Sequence, residues 1–370
     1  MTAKWLNYLL AFGLLAFGIS TADAQTGTSS TSGQRIWGYI FGDLFWKMDG
    51  DEALWGRGEY MGTEKGMMGG ALRRLYLGYD HQINDQFTTR VLLESNQGTL
   101  MANGSYGTFI KLAYLQWNAP DFIFYHQKIS VGLIPTPIFS FPEQAWGYRS
   151  VEKEALDARG IGRSVDQGVS YNASFDKESN YGFTLMAANG SGTRPATDKF
   201  FEYSASLFLR MFDKRLSVET MANYKKQASG MYSGIFRGFL GYKTSVVRFG
   251  FEAAVIRENQ FNDFEFITRH PFLFSAFSAL KFTFYSEELE FFARFDKYNP
   301  DTKYNTAKVY PADLRFVYNQ SLLILGLTYN PVSVVSIMPN VYINMYEDKR
   351  PYGVNRKNDI VPRLTLYYRF

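Results

Sequence analysis

The chain has 370 residues, 46% of them hydrophobic and 18% aromatic, no cysteine, 39 Lys and Arg against 35 Asp and Glu, and a formal net charge of +4. This composition excludes disulfides and thiolate metal sites, and a small, interspersed net charge argues against a nucleic-acid binder. A helical membrane protein is excluded as well, because no run of about 18 or more apolar residues follows the N-terminal segment.

The N-terminus reads as an export signal. Lys4 supplies the positive region, Trp5 to Ile19 is apolar, and Ala22-Asp23-Ala24 fits a small-x-small cleavage site. Residues 1–24 are therefore expected to be removed, and residues 25–34 to form a flexible periplasmic lead. No cysteine follows the apolar run, which excludes lipoprotein processing.

From residue 35 onward the pattern has period two. In Val247–Ile256 the set Val247, Phe249, Phe251, Ala253 and Val255 alternates with Arg248, Gly250 and Glu252; Leu216–Tyr224, Phe201–Met211 and Leu289–Asp296 alternate in the same way. Side chains switch faces at each residue of a strand, so these segments suit lipid on one side and water on the other. Laid end to end, strands are predicted at 35–46, 71–82, 86–95, 108–118, 127–134, 165–175, 180–188, 201–211, 214–225, 234–243, 246–257, 272–285, 287–297, 321–330, 334–346 and 361–370. The connections alternate between long and short, as in transmembrane up-and-down β-barrels with long outer loops and short periplasmic turns. About 16 strands are predicted over 35–370, with 18 as the alternative closure and Asp313–Tyr318 assigned to a loop. Arg35–Trp46 is apolar on both faces and its facing is open. Lys111 points to an inward odd-numbered set in Phe109–Trp117. Pro339 removes a ladder donor and calls for a nearby bulge.

The longest connection, 135–164, falls at the third outer position. Its prolines break the strand, and Pro142–Leu156 is expected to hold a short helix with Arg149 and Lys153 on one face. Folded into the lumen, this loop would narrow the pore and present Arg149, Lys153, Arg159 and Arg163 to solute. Outside the lumen, the same cations would pair with Glu152, Glu154, Asp157 and Asp166. The facing pattern turns Arg74, Arg90, Lys111, Arg210, Arg248 and Arg294 inward, among other charges, with acids such as Glu94, Glu219, Glu252 and Asp296. The basic excess is modest and predicts a weak anion preference; cross-strand neutralisation is the competing reading. The last strand ends on an alternating apolar set, Leu366, Tyr368 and Phe370, which suits recognition by the barrel-assembly machinery.

Catalysis has little to rest on. His81 and His126 lie beside turns, and His270, with Asp263 or Glu265, is the least implausible base for a surface hydrolase. Asp49, Asp51 and Glu52 do not complete a calcium-ligand spacing. No enzyme, metal or cofactor is expected. A plugged transporter, a gated substrate-specific channel and a non-conducting adhesin or scaffold are the other classes of barrel, and single-channel conductance separates them from an open pore.

The stretch Gly132–Val169, with Gly-x-x-x-x-Pro, Glu-x-x-Trp-Gly-Tyr-Arg and Val-Asp-x-Gly-Val elements, resembles the phosphate-selective porin O and P family. Gly38-Tyr39, Arg74–Tyr79, Ala113-Tyr114-Leu115 and the terminal Phe370 are similar to the same pattern. The resemblance implies a homotrimeric, water-filled channel of the bacterial outer membrane, set among lipid and lipopolysaccharide, that passes small hydrophilic solutes and favours anions such as phosphate or organic acids. Its best-known members use clustered lysines at the constriction. The corresponding loop here carries arginines diluted by acids.

Overall fold

The computed structural model describes residues 33–370, apart from 53–59, 61, 197, 228–229, 262–265, 309, 311–313, 352 and 354–355. The export signal and nearly all of the lead lie outside the described residues. The strands are β1 (Gln34–Trp46), β2 (Met68–Gln82), β3 (Phe87–Asn96), β4 (Phe109–Asn118), β5 (Tyr125–Pro135), β6 (Val165–Ser174), β7 (Tyr181–Ala188) and β8 (Glu202–Met211). They continue with β9 (Leu216–Lys226), β10 (Tyr232–Lys243), β11 (Val247–Phe261), β12 (Phe266–Arg269), β13 (Phe272–Phe284), β14 (Glu287–Asn299), β15 (Tyr318–Val332), β16 (Val335–Asp348) and β17 (Asp359–Arg369).

Each strand pairs antiparallel with its sequence neighbours, and β1 pairs with β17 to close the sheet. At the seam the backbones of Gly38 and Phe370 exchange reciprocal N–H to C=O bonds of 2.9 Å. β11 pairs with β13 up to Val255↔Phe272 and then with β12 from Glu258↔Arg269. β12 and β13 are thus two halves of one spanning segment, interrupted at His270-Pro271, and the barrel has 16 spans rather than 18. Proline has no N–H to donate to the ladder, which accounts for the break. Leu314–Val317 is a short helix leading into β15, in keeping with its assignment to a loop.

The two faces follow the alternation. In β9, Glu219, Met221, Asn223 and Lys225 are buried inward, whereas Thr220, Ala222 and Tyr224 are exposed outside. β17 turns Asp359, Val361, Arg363 and Thr365 inward and leaves Leu366, Tyr368 and Phe370 on the outer surface. A closed barrel leaves no unpaired strand edge, and its apolar exterior is what a bilayer core requires. Among the described residues no helix is long and apolar enough to cross a membrane.

Strand facings depart from strict alternation at bulges, which insert one residue into one partner of a pair. β1 turns its odd-numbered residues inward, including Tyr39, Phe41, Asp43 and Phe45. The register between β1 and β2 slips between Phe41 and Gly42, so Arg73 and Arg74, adjacent in sequence, are both buried inside. A second slip between Leu92 and Leu93 accommodates Lys111. It corrects the predicted facing of β4: Leu112 is the buried residue, and Leu115 and Trp117 lie outside. Lys111 still reaches Glu94 on the inside, at 3.1 Å, because the bulge re-aims it. Pro339 sits in a gap of the β15–β16 ladder, between Gly326↔Asn340 and Tyr329↔Ile337.

In the short β6–β7 turn, partial desolvation pulls the Asp176 pKa upward. The backbone N–H groups of Tyr181 and Asn180 outweigh it and hold the carboxyl below its usual range.

Candidate functional site

The connection from β5 to β6 folds into the barrel. Its base is closed by the Thr136 N–H donating to Ser164 O at 3.1 Å and by the Thr136 hydroxyl donating to Arg163 O. Two short helices occupy it, α1 (Ser140–Trp146) and α2 (Ala155–Ala158). α1 stops at Gly147, whose φ of 71° suits glycine, and a Cβ there would collide with the Arg248 guanidinium. Residues 147–154 are therefore not helical, so Arg149 and Lys153 do not share a helical face as predicted. The Glu154 carboxylate caps α2, accepting from the N–H groups of Leu156 at 3.0 Å and Asp157 at 3.1 Å.

Apolar contacts seat the loop on one side of the inner wall. Trp146, Tyr148 and Val151 pack with Phe239, Phe277, Phe292, Leu322, Ile324, Met338, Tyr342 and Val361. Ile138, Phe139, Ala155 and Leu156 pack with Met221, Ile235, Ala254, Ile256 and Leu273. The Trp146 ring centroid lies 5.3 Å from Tyr148 and 5.4 Å from Phe277, and the indole N–H donates to Glu152 O at 3.0 Å.

The non-helical stretch has carbonyls with no helical partner, and buried carbonyls require donors. Wall arginines supply them. Arg73 donates to Ser150 O at 2.7 Å and Val151 O at 2.8 Å, and Arg363 to Val151 O at 3.3 Å. Arg294 donates to Lys153 O, and Arg237 to Pro137 O at 3.4 Å. Guanidinium suits this because its five fixed donors reach carboxylates and carbonyls together. Arg73 and Arg363 also lie 3.4 and 3.7 Å from Asp43, Arg237 lies 2.6 Å from Glu219, and Arg294 lies 2.7 Å from Asp296.

The four loop cations take different places. Arg149 pairs with Glu143 on α1 at 3.0 Å and with Asp157 at 3.5 Å. Burial alone would lower its pKa; Tyr76, Glu143 and Asp157 outweigh that and raise it, so the charge is permanent. Lys153 is half-buried, and its main chain is held at both ends, N–H to the Glu152 carboxylate at 2.8 Å and C=O by Arg294. Arg163 pairs with Glu202 at 3.0 Å. Arg159 is 7% exposed, and its Nε and Nη2 have no hydrogen-bond partner. Arg159 and Arg163 open onto a cavity of about 490 Å³, also lined by Arg194, Lys225 and Arg269, with Glu202 and Glu258 as its acids. Arg269 pairs with Glu258 yet leaves its Nε and Nη1 unpartnered.

Cations on the inner face of the strands lie largely in ion pairs. Arg74 and Lys111 share Glu94, Arg90 binds Asp80 through two bonds of 2.6 and 2.8 Å, and Arg248 pairs with Glu290 at 2.8 Å. Arg210 instead lies over the rings of Phe208 and Phe141, at 4.7 and 5.4 Å. Sequence reasoning missed Arg73, which a strict alternation sends outside; two consecutive arginines in one strand were the signal for a bulge. It also missed an aromatic strip on the inner wall beside the loop's seat. Trp37 stacks on Tyr39 and Tyr39 on Phe41, and Tyr76 and Tyr367 lie 4.6 and 5.8 Å from Tyr39.

His126 Nε2 is 2.7 Å from Lys177 O, and His270 Nδ1 lies 3.8 Å from Asp301. Asp263 and Glu265 are outside the described residues. Among the described residues no cluster of three potential metal ligands occurs.

No protein-family model and no curated protein sequence matches this chain. Solved structures do. The outer membrane channel DcaP of Acinetobacter baumannii aligns with a TM-score of 0.65 at 13% identity, over 92% of this chain and 99% of that one. An anion-selective porin from Comamonas acidovorans aligns at 0.59 and 11%, over 91% and 99%, and OmpF of Salmonella typhi at 0.58 and 13%, over 91% and 97%. At such identities the likeness concerns the fold: a closed antiparallel barrel of the porin type.

Proposed function

We propose that this protein is a passive porin of the bacterial outer membrane, through which small hydrophilic solutes diffuse without cofactor or chemistry. The observation that carries this reading is a closed barrel, apolar outside and charged within, whose longest loop is clamped inside the lumen. The loop's contacts run from Phe208 on β8 round to β17 and on to Phe45 of β1 and Arg73 of β2, so we read the passage as lying between the loop and β3–β7. Three of the structural neighbours are described as a channel or porin, one of them anion-selective, and they support the same reading.

The finer reading is a weak anion preference. Inward pairs such as Arg90 with Asp80 cancel, whereas the vestibule gathers Arg159, Arg163, Arg194, Lys225 and Arg269 against Glu202, Glu258 and the adjoining Asp198. Fixed positive charge at a pore mouth enriches anions there. Inorganic phosphate and organic acids are the solutes to test, in line with the resemblance in Gly132–Val169. We read the working unit as a homotrimer, a form that one neighbour, OmpT of Vibrio cholerae, is described in.

Planar-bilayer recording tests the proposal. Ohmic single-channel steps are expected, with a reversal potential in a potassium chloride gradient displaced to the anion side. A silent bilayer would overturn the channel reading, and a cation-side potential would overturn the preference alone.

A further inference from the structure

The outer surface, which should carry no charge where it meets hydrocarbon, has three exposed strand cations among the described residues, and they lie in one quarter of the barrel. Lys226 ends β9, Arg257 is in the upper part of β11, and Lys297 is in the upper part of β14. The exposed Lys303 follows in the loop after β14. None of the four is ion-paired among the described residues. Among the described strand residues the outward set includes one acid on the same rim, Glu347 on β16.

Two of these cations, Arg257 and Lys303, border a groove of about 520 Å³ at the point where His270-Pro271 interrupts the segment and β11 changes pairing partner. Its floor is Phe236, Val255 and Phe272, and Arg257, His270 and Lys303 stand at its rim. Gly234 leaves the floor open between Tyr224 and Arg257. Asp301, the carboxylate at this rim, is already occupied by the N–H groups of His270 and Lys303, both at 3.0 Å, and the Tyr310 hydroxyl at 2.8 Å.

We propose that this groove holds a phosphate-bearing lipid of the outer leaflet, its headgroup phosphate on Arg257 and Lys303 and an acyl chain along Phe236, Val255 and Phe272. The inference rests on the outer-membrane reading above. A guanidinium binds phosphate through two parallel bonds, and a lysine ammonium adds a point charge. Basic groups at the headgroup level above an apolar surface select anionic over zwitterionic lipid.

The test uses delipidated full-length protein in dodecyl maltoside, titrated with diphosphorylated lipid A and followed by native mass spectrometry. One bound lipid per chain is expected, with affinity reduced about tenfold or more in the Arg257→Gln/Lys303→Gln variant. Lysine 297 changed alone, Lys297→Gln, should weaken binding by a smaller factor. Fully dephosphorylated lipid A should bind weakly, and millimolar inorganic phosphate should not displace the intact lipid. Equal binding by the double variant, equal binding of the dephosphorylated lipid, or a second protein copy in place of lipid would each overturn the proposal. Heat-modifiable gel mobility checks that the variants are folded. Bilayer conductance of the wild type is read separately, so loss of the channel reading and loss of the lipid site are distinguishable.

Discussion

Replacing Trp146 by alanine isolates the role of the loop from that of the barrel. The indole is 1% exposed, packs against Tyr148, Phe277 and Phe292, lies under Arg294, and donates a hydrogen bond to Glu152 O. A buried indole covers about 200 Å², which at about 25 cal/mol per Å² gives about 5 kcal/mol. Measured core truncations of this kind cost about 3–5 kcal/mol. No ladder bond involves this side chain, so the loss falls on docking of the loop rather than on closure of the sheet. At a factor of ten per 1.4 kcal/mol, the ratio of docked to undocked loop falls by about two to three and a half orders of magnitude. Single-channel recordings of Trp146→Ala should show larger, noisier conductance, and trypsin should begin to cut after Arg149 or Lys153, with the folded gel mobility kept. Unchanged conductance together with unchanged protection from trypsin would refute the idea that this ring pins the loop.

Four further outcomes follow from the same geometry. Arg73→Lys keeps the charge but loses one of two carbonyl bonds, each charge-assisted and worth about 1.5–3 kcal/mol, and should lower the thermal midpoint of the gel-mobility transition. Arg159→Glu reverses a buried charge at the vestibule, so the reversal potential should move toward the cation side, and an unmoved potential would remove the vestibule from selectivity. Deleting Phe370 removes the two backbone bonds to Gly38, about 1 kcal/mol each, and should slow assembly in pulse-chase export assays. The Asp176 carboxyl is depressed, so its contribution is complete above the ordinary carboxylate range and is lost as pH falls through the lower folded value. The stability gap between wild type and Asp176→Asn should therefore narrow with acidification, and a constant gap would count against the turn's dependence on that charge.

Strand positions and a count of about 16 spans were readable from alternation, and loop length marked 135–164 as the candidate for the lumen while leaving an outside course open. The reason is that lipid contact imposes a strict period on the outer face, as in Val247, Phe249, Phe251, Ala253 and Val255. The inner face obeys no such rule. Phe277, Phe292, Leu322 and Ile324 point inward because they seat the loop, so β13 to β15 read as less amphipathic than they are. Bulges hid the rest. Arg73 and Lys111 face inward only through register slips that the chain sets by long-range pairing. The loop arginines were found as candidates, but which of them stays unpartnered depends on contacts as distant in sequence as Arg163 with Glu202. No period carries such information.

The wall guanidiniums grip peptide oxygens of Pro137, Ser150, Val151 and Lys153 rather than any side chain of those residues. The path of the lumenal segment is thereby decoupled from the identity of what it displays. Substitutions on its water-facing side can retune which molecules are admitted while the scaffold that fixes the aperture is left untouched, so filtering properties are free to drift faster than the architecture that supports them.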